Sequence, residues 1–177
     1  MRFTLTLAAP ILAFTAIAAP AMAQDAATDP RCATVRVAIP PELSRWSQRT
    51  ALAAGTSTRS APVLVIGRAT DLRLTTADRV TVAAAPGRDA EAGSTAGLAL
   101  FQVARAGTYR VALGEAAWID VIRAGRALPS TAHGHGPMCS GIRKIVDFRL
   151  TPGRYVLQIA GTPAASVPVM IARGAAA

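Results

Sequence analysis

The stretch FRLTPGRYVLQI, Phe148–Ile159, contains two runs of alternating apolar and polar residues, separated by a Pro-Gly pair. Alternation with a period of two is typical of a strand with one buried face, and Pro-Gly is typical of a turn. Gly153 provides a turn residue that tolerates positive φ. Tyr155 shares a face with the aliphatic residues after it, so we expect core packing with the hydroxyl at the rim. The stretch predicts a β-hairpin.

A second stretch, FQVARAGTYRVAL, Phe101–Leu113, repeats this pattern. It has an aromatic-led strand, a turn glycine at Gly107, and then Tyr109 with alternating aliphatic residues. The repetition predicts a second hairpin of the same kind.

Short alternating runs continue through the rest of the chain, separated by Gly, Pro, Asp or Ser. Such runs predict an all-β fold, a single β-sandwich of about eight to ten short strands with a jelly-roll or module-like topology. Only residues 41–55 break the pattern, and there Leu43, Trp46 and Leu52 suggest a helical turn or an irregular loop over an open end of the sandwich. The ten runs are Val35–Ile39, Val63–Gly67, Asp71–Thr75, Arg79–Ala83, Leu98–Val103, Thr108–Leu113, Trp118–Ile122, Ile142–Leu150, Arg154–Ile159 and Val167–Ala172.

The N-terminus predicts export. Arg2 precedes an apolar run that ends in PAMA, with small residues at Ala21 and Ala23, so residues 1–23 have the features of a secretory signal peptide. The run is too short and too interrupted for a spanning helix of about 20 apolar residues, and no later segment replaces it. We therefore expect a periplasmic or secreted protein without a transmembrane segment. Residues 24–31 are predicted to be a flexible leader, 32–173 one domain, and 174–177 a disordered tail.

The chain is basic, with 19 Lys and Arg against 10 Asp and Glu and a formal net charge of +9. This surplus favours anionic partners such as an acidic envelope polymer. Most of the arginines alternate with apolar residues, however, which is also the pattern of a solvated strand face. The export signal and the small number of aromatic residues argue against a nucleic-acid role.

The loop HGHGPMCSGIRK, residues 133–144, holds both histidines of the chain, one of its two cysteines and Met138. Imidazole and thioether ligands suit copper, so His133, His135 and Met138 are candidate metal ligands. A flexible, solvated connection without any ligand is the alternative, and a catalytic role is a further one. In an oxidising compartment two lone cysteines usually pair, so we predict a Cys32–Cys139 disulfide.

Two more polar residues are candidates for the same site. Lys144 is the sole lysine and lies in an apolar row with Val146 and Phe148, and Asp120 is similarly set among apolar neighbours. A lysine in such a row usually extends its ammonium to the rim. We expect Asp120, Lys144 and the histidines to form one polar cluster.

Two resemblances extend these expectations. The AGTY and PGRY strand openings between about Gly97 and Arg173 are similar to those of pre-peptidase C-terminal type β-sandwich modules of secreted bacterial enzymes. AGTYRVAL, WIDV and AHGHGPMCSGIRKIVDFRLTPGRYVLQI resemble segments of a group of short exported proteobacterial proteins, some of which are labelled homogentisate 1,2-dioxygenase. That label implies a ring-cleaving enzyme with a non-haem iron.

The iron chemistry makes specific demands on the residues. Homogentisate dioxygenases are longer cytosolic cupin enzymes that hold ferrous iron with two histidines and a glutamate, which leaves open positions for substrate and oxygen. The cupin spacing would place a glutamate four or five residues after His135, where this chain has Cys139 and Ser140. The carboxylate would have to come from a neighbouring strand, and the candidates are Glu115, Asp120 and Asp147.

The sequence thus favours a noncatalytic exported module that binds a small ligand, a metal or an envelope protein near residues 133–144. A small metalloenzyme, using iron if the dioxygenase label holds, and a polyanion-binding surface protein are the alternatives.

Overall fold

The computed structural model describes residues 30–87 and 91–174. The predicted signal peptide, residues 24–29 of the predicted leader and residues 175–177 of the predicted tail lie outside the described residues. Pro30 and Arg31, assigned above to the leader, form a 3-10 helix with Cys32. At the other boundary, the Gly174 N–H donates to the carbonyl of Thr108 at 2.8 Å. No helix within the described ranges is long and apolar enough to span a membrane.

The described residues form a β-sandwich of two mixed sheets, as the alternation predicted. Sheet I has the order β1-β3-β12-β6-β10-β9, and sheet II has the order β2-β5-β11-β7-β8, with β4 also pairing with β5. The strands are β1 (Arg49–Ala53), β2 (Val63–Leu64), β3 (Ala69–Arg73), β4 (Thr75–Thr76), β5 (Thr95–Val103), β6 (Gly107–Leu113), β7 (Trp118–Arg123), β8 (Arg126–Ala127), β9 (Ala132–Gly134), β10 (Lys144–Leu150), β11 (Gly153–Thr162) and β12 (Ser166–Arg173). Short 3-10 helices span Pro30–Cys32, Pro41–Leu43 and Ala77–Arg79.

The main core lies between the two sheets. Alternate residues of each long strand point inward, such as Val111 and Leu113 of β6 and Leu157 and Ile159 of β11, all fully buried. A second, smaller core covers the outer face of sheet I, where Leu43 and Trp46 pack against alternate residues of β6 and β12. Segment 41–46 therefore covers a sheet face, not the open end predicted for it.

The two stretches that repeat each other in sequence are not hairpins. β5 lies in sheet II and β6 in sheet I, and β10 and β11 are divided between the sheets in the same way. In each stretch the chain arches from one sheet to the other. The hairpin prediction is wrong, because alternation around a central glycine is equally compatible with a turn inside one sheet and with a crossing between two.

The pairing registers make these stretches structural repeats as well as sequence repeats. Tyr109 of β6 lies opposite Phe148, and Tyr155 of β11 lies opposite Phe101, so each tyrosine pairs with the phenylalanine of the other stretch. Each second strand also has an antiparallel neighbour on its far side, β12 beside β6 and β7 beside β11. The triplet β10-β6-β12 of sheet I therefore corresponds to the triplet β5-β11-β7 of sheet II.

The tyrosines fix the two arches in the same way. The hydroxyl of Tyr109 donates to the carbonyl of Arg105, and that of Tyr155 donates to the carbonyl of Thr151, each at 2.8 Å and each four residues upstream. Both rings are buried, as their place in the alternation predicted. A buried ring with its hydroxyl bonded to the local backbone is the arrangement of a tyrosine corner in a sandwich.

Two predicted strands are absent from the described ranges, and three observed strands, β1, β8 and β9, lie wholly outside the predicted runs. Residues 35–39 are irregular, and Val35 is exposed. Residues 80–83 are also irregular, because the Ala83 N–H donates to the side-chain carbonyl of Gln158 rather than to a strand. β1 was missed because Arg49–Ala53 is mostly exposed and has little alternation to detect.

Cys32 and Cys139 lie at bonding distance, with their sulfur atoms 2.01 Å apart and their Cα atoms 5.3 Å apart. The bond connects positions 107 residues apart and joins the N-terminal 3-10 helix to the loop between β9 and β10. The predicted cross-link is therefore present, and it anchors the loop that carries the histidines.

Candidate ligand-binding cleft

A cleft opens between β7 of sheet II and β10 of sheet I, beside the connection from β8 to β9. Its inner part has a volume of about 560 Å³ and its outer part about 360 Å³, within the usual range for small-molecule sites. Trp118, His133 and Lys144 line both parts. The inner part is otherwise mainly apolar, with Ile119, Leu128, Val146 and Phe148, whereas the outer part includes Glu91, His135 and Arg143.

Lys144 stands where the two parts of the cleft meet. It is the first residue of β10, in the same alternate row as Val146 and Phe148 of the inner face. Its ammonium donates to the carbonyl of Ala117 at 3.3 Å and lies 5.4 Å from the centroid of the Trp118 ring. Partial burial lowers the pKa of Lys144, because desolvation disfavours the charged form.

No carboxylate among the described residues forms an ion pair with Lys144. Asp120 borders the inner cleft, but its oxygens accept hydrogen bonds from the indole N–H of Trp118 at 3.0 Å and the amide of Gln158 at 3.2 Å. Asp120 is therefore satisfied within sheet II and is not the partner of Lys144 suggested by the sequence. The structure does bring Asp120, His133 and Lys144 to one cleft.

The Trp118 ring also packs against a segment, residues 83–87, that crosses sheet II. Gln158 binds this segment through the Ala83 N–H at 2.8 Å and the Ala84 carbonyl at 3.1 Å. A Cβ on Gly87 would lie 2.8 Å from Cζ2 of Trp118, so only glycine allows this close approach. The aromatic wall of the cleft is thus fixed by contacts that form independently of a ligand.

The two histidines also border the outer cleft. His133 is the middle residue of β9, opposite Val146 of β10, and His135 follows two residues later. Nδ1 of His135 lies 3.2 Å from the carbonyl of Arg143. Both imidazoles are exposed, so they lie at the mouth of the cleft and not in its interior.

The predicted metal set is only partly assembled. Met138 is 86% exposed and is not among the residues that line the cleft with the histidines. Asp147, one of the carboxylates considered for iron, lies 3.3 Å from Arg110 on the outer side of sheet I. Residues 30–87 and 91–174 contain no group of three or more His, Cys, Asp or Glu side chains that could hold a metal ion. Within that range, the copper and iron hypotheses lack a third suitable ligand of these types beside the histidines.

Local contacts support the loop between His135 and Lys144. The hydroxyl of Ser140 donates to the carbonyl of Pro137 at 2.6 Å and accepts the N–H of Ile142 at 3.0 Å. Ile142 is buried in the second core, and the disulfide at Cys139 adds a covalent anchor. The outer rim of the cleft is therefore a turn held by local hydrogen bonds and a disulfide.

The internal repeat allows the cleft region to be compared with an equivalent region of the sandwich that has no cleft. Lys144 lies opposite Leu113, and Gly97 lies opposite Ile159; Leu113 and Ile159 each follow the tyrosine of their repeat by four residues. Gly97 is thus the structural counterpart of Lys144. A Cβ on Gly97 would meet the Cβ of Ala54 and, at 2.9 Å, a methyl carbon of Leu74.

We call the side of the sandwich at Gly97, Ala54 and Leu74 the closed flank, and the side at Lys144 and Trp118 the open flank. Sequence reasoning found Lys144 and His133 but gave Trp118 no role beyond its strand. The repeat itself could have directed attention there, because Lys144 and Gly97 take equivalent places with very different side chains.

No protein-family model matches the chain, and no curated protein shows significant similarity to it. The resemblances to the exported proteobacterial group and to the pre-peptidase C-terminal modules therefore stay predictions.

Proposed function

We propose that this protein is an exported, noncatalytic binding module that takes a small organic carboxylate into the cleft of its open flank. The observation that carries the proposal is the half-buried ammonium of Lys144, which has no ion-pair partner within the described residues. A partly desolvated cation is stabilised by an opposite charge, which a bound carboxylate would supply.

The inner cleft supports an apolar body on that carboxylate. Its walls come from Ile119, Val146 and Phe148, and its volume of about 560 Å³ suits a ring or a medium-length acyl chain. The ligand's charged group would then lie near Lys144, with Arg143 and the histidines at the outer rim.

Export is the second element of the proposal. The apolar run before Ala23 and the disulfide between Cys32 and Cys139 both suit an oxidising compartment such as the periplasm. A small ligand carrier or sensor, or an accessory module of an envelope complex, fits this location and a cleft of this size.

The test is a titration of the purified mature protein with octanoate and with benzoate, each beside its neutral analogue, octanol or benzyl alcohol. Trp118 lines the cleft, whereas the only other tryptophan, Trp46, is buried under the outer face of sheet I. A Trp46→Phe background therefore makes Trp118 the fluorescence reporter. We expect at least one carboxylate to bind about 10-fold or more tightly than its alcohol, since a hydrogen bond to a charged group contributes roughly 1.5–3 kcal/mol.

Lys144→Met, which keeps the length of the side chain and removes the charge, should abolish this preference. Lys144→Arg should retain part of it. The proposal fails if neither carboxylate perturbs Trp118, or if Lys144→Met binds carboxylates as well as the parent protein does.

A further inference from the structure

A second basic site lies away from the cleft, where β1 and β3 begin side by side in sheet I. Arg49 of β1 is in register with Ala69 of β3, and a groove of about 490 Å³ follows this junction. The groove is lined by Arg45, Gln48, Arg49, Thr50, Arg68 and Ala69. Three guanidinium groups therefore border one groove, and none of its lining residues within 30–87 and 91–174 is acidic.

Arg49 is held in position by two contacts. Its Nε lies 3.0 Å from a carboxylate oxygen of Asp71, and its guanidinium carbon lies 5.9 Å from the centroid of the Trp46 ring. The Asp71 contact uses Nε, so the terminal nitrogens have donors left for another acceptor.

The positive charges of the other two arginines, Arg45 and Arg68, have no comparable partner within the described residues. Neither the Arg45 nor the Arg68 side chain has a hydrogen-bond or ion-pair partner anywhere in residues 30–87 and 91–174, and both are exposed. Three nearby cations with one carboxylate between them leave a local positive surplus, which an anion would neutralise.

We infer that this groove binds a phosphate group, carried either by inorganic phosphate or by a phosphate monoester. Guanidinium groups pair with phosphate oxygens through parallel N–H donors, and a phosphate has enough oxygens to accept from all three arginines. A carboxylate has only two oxygens, so it would engage fewer of them. The inference is independent of the cleft, because none of the residues lining the groove lines the cleft.

A phosphate group reaches an exported protein either as free inorganic phosphate or as a monoester on a phosphorylated sugar of the envelope. The experiment is calorimetric titration of the full mature protein with inorganic phosphate, glucose 1-phosphate and glucose. We expect both phosphates to bind and glucose not to bind. Tighter binding of glucose 1-phosphate would identify the sugar-linked source, and equal or tighter binding of inorganic phosphate would identify the free ion.

Arg45→Ala with Arg68→Ala should weaken phosphate binding about 10-fold or more. The matched control is Arg126→Ala with Arg154→Ala, which removes the same charge from exposed positions on sheet II and should change the affinity less than 2-fold. Lys144→Met should also leave phosphate binding unchanged, which separates this site from the cleft. Absence of phosphate binding, or equal losses in the groove variant and the control, would overturn the inference.

Discussion

The two flanks of the sandwich are built from equivalent strands and differ in what fills them. On the closed flank Gly97 leaves room for Ala54 and Leu74, and the space between the sheets is packed. On the open flank the equivalent position is Lys144, and a cleft takes the place of the packed side chains. Since both flanks belong to one repeat, the cleft is not a requirement of the fold.

The flanks also differ in how they are supported. The closed flank depends on apolar packing by residues 49–76, whereas the rim of the open flank is tied by the Cys32–Cys139 bond. A cross-link that closes a loop of about 100 residues contributes on the order of 4.7 kcal/mol in the chain-entropy model.

The largest expected effect therefore comes from removing this bond. Cys32→Ser with Cys139→Ser should lower the free energy of unfolding by roughly 2–5 kcal/mol in urea denaturation. Native-state hydrogen exchange should show the largest loss of protection in β9 and the start of β10, with little change in β3 and β12. A uniform loss over both flanks would show that the bond does not act locally on the open one.

A prediction of intermediate size tests the difference in packing between the two flanks. Gly97→Ala forces a methyl group against Ala54 and Leu74, and overpacking of this kind costs typically 1–3 kcal/mol. Gly134→Ala is the matched control, since a Cβ there meets nothing within 4 Å and the residue has no positive φ. We expect that variant to stay within about 0.5 kcal/mol of the parent in thermal and urea unfolding. Equal costs at the two glycines would contradict the distinction between a packed and an open flank.

The sequence was sufficient to predict the long strands but not to predict how they are arranged in the two sheets. Runs such as Arg154–Ile159 and Val167–Ala172 were found because apolar residues recur at every second position, although residues on both faces of these strands are buried in the structure. The arch at Gly107 was predicted as a hairpin because local periodicity contains no information about which sheet the next strand joins. Residues 80–83 alternate as a strand does, but they bind a side chain of β11 instead of a strand edge.

The candidate site shows the same contrast between what the sequence could predict and what it could not. His133, Lys144 and Asp120 could be chosen from the sequence because each is a rare or polar residue in an apolar or turn-rich setting. Their geometry could not be predicted from the sequence, because the partner of Asp120 is set by the register of β7 with β11. In that register Asp120 lies opposite Gln158. Trp118 became a wall of the cleft only once β10 was placed beside it.

The smallest expected effect concerns the stability cost of Lys144 itself. Burial lowers the pKa of this ammonium in the folded protein, whereas the unfolded chain keeps a value of about 10.4. Between these two pKa values the unfolded chain binds more protons, so the stability of the parent protein rises with pH across that interval. Below it the charged form carries the full desolvation cost, and above it the cost is gone.

Lys144→Met removes the charge at every pH, so it should raise the melting temperature slightly near pH 7, on the order of 1 °C. The difference from the parent should shrink as the pH rises toward about 10.4, measured as paired thermal unfolding curves at several pH values. A residue that lowers stability while it supports carboxylate binding is what a functional position on the open flank should be. A melting temperature below that of the parent, or a difference independent of pH, would instead make Lys144 a structural residue of the sandwich.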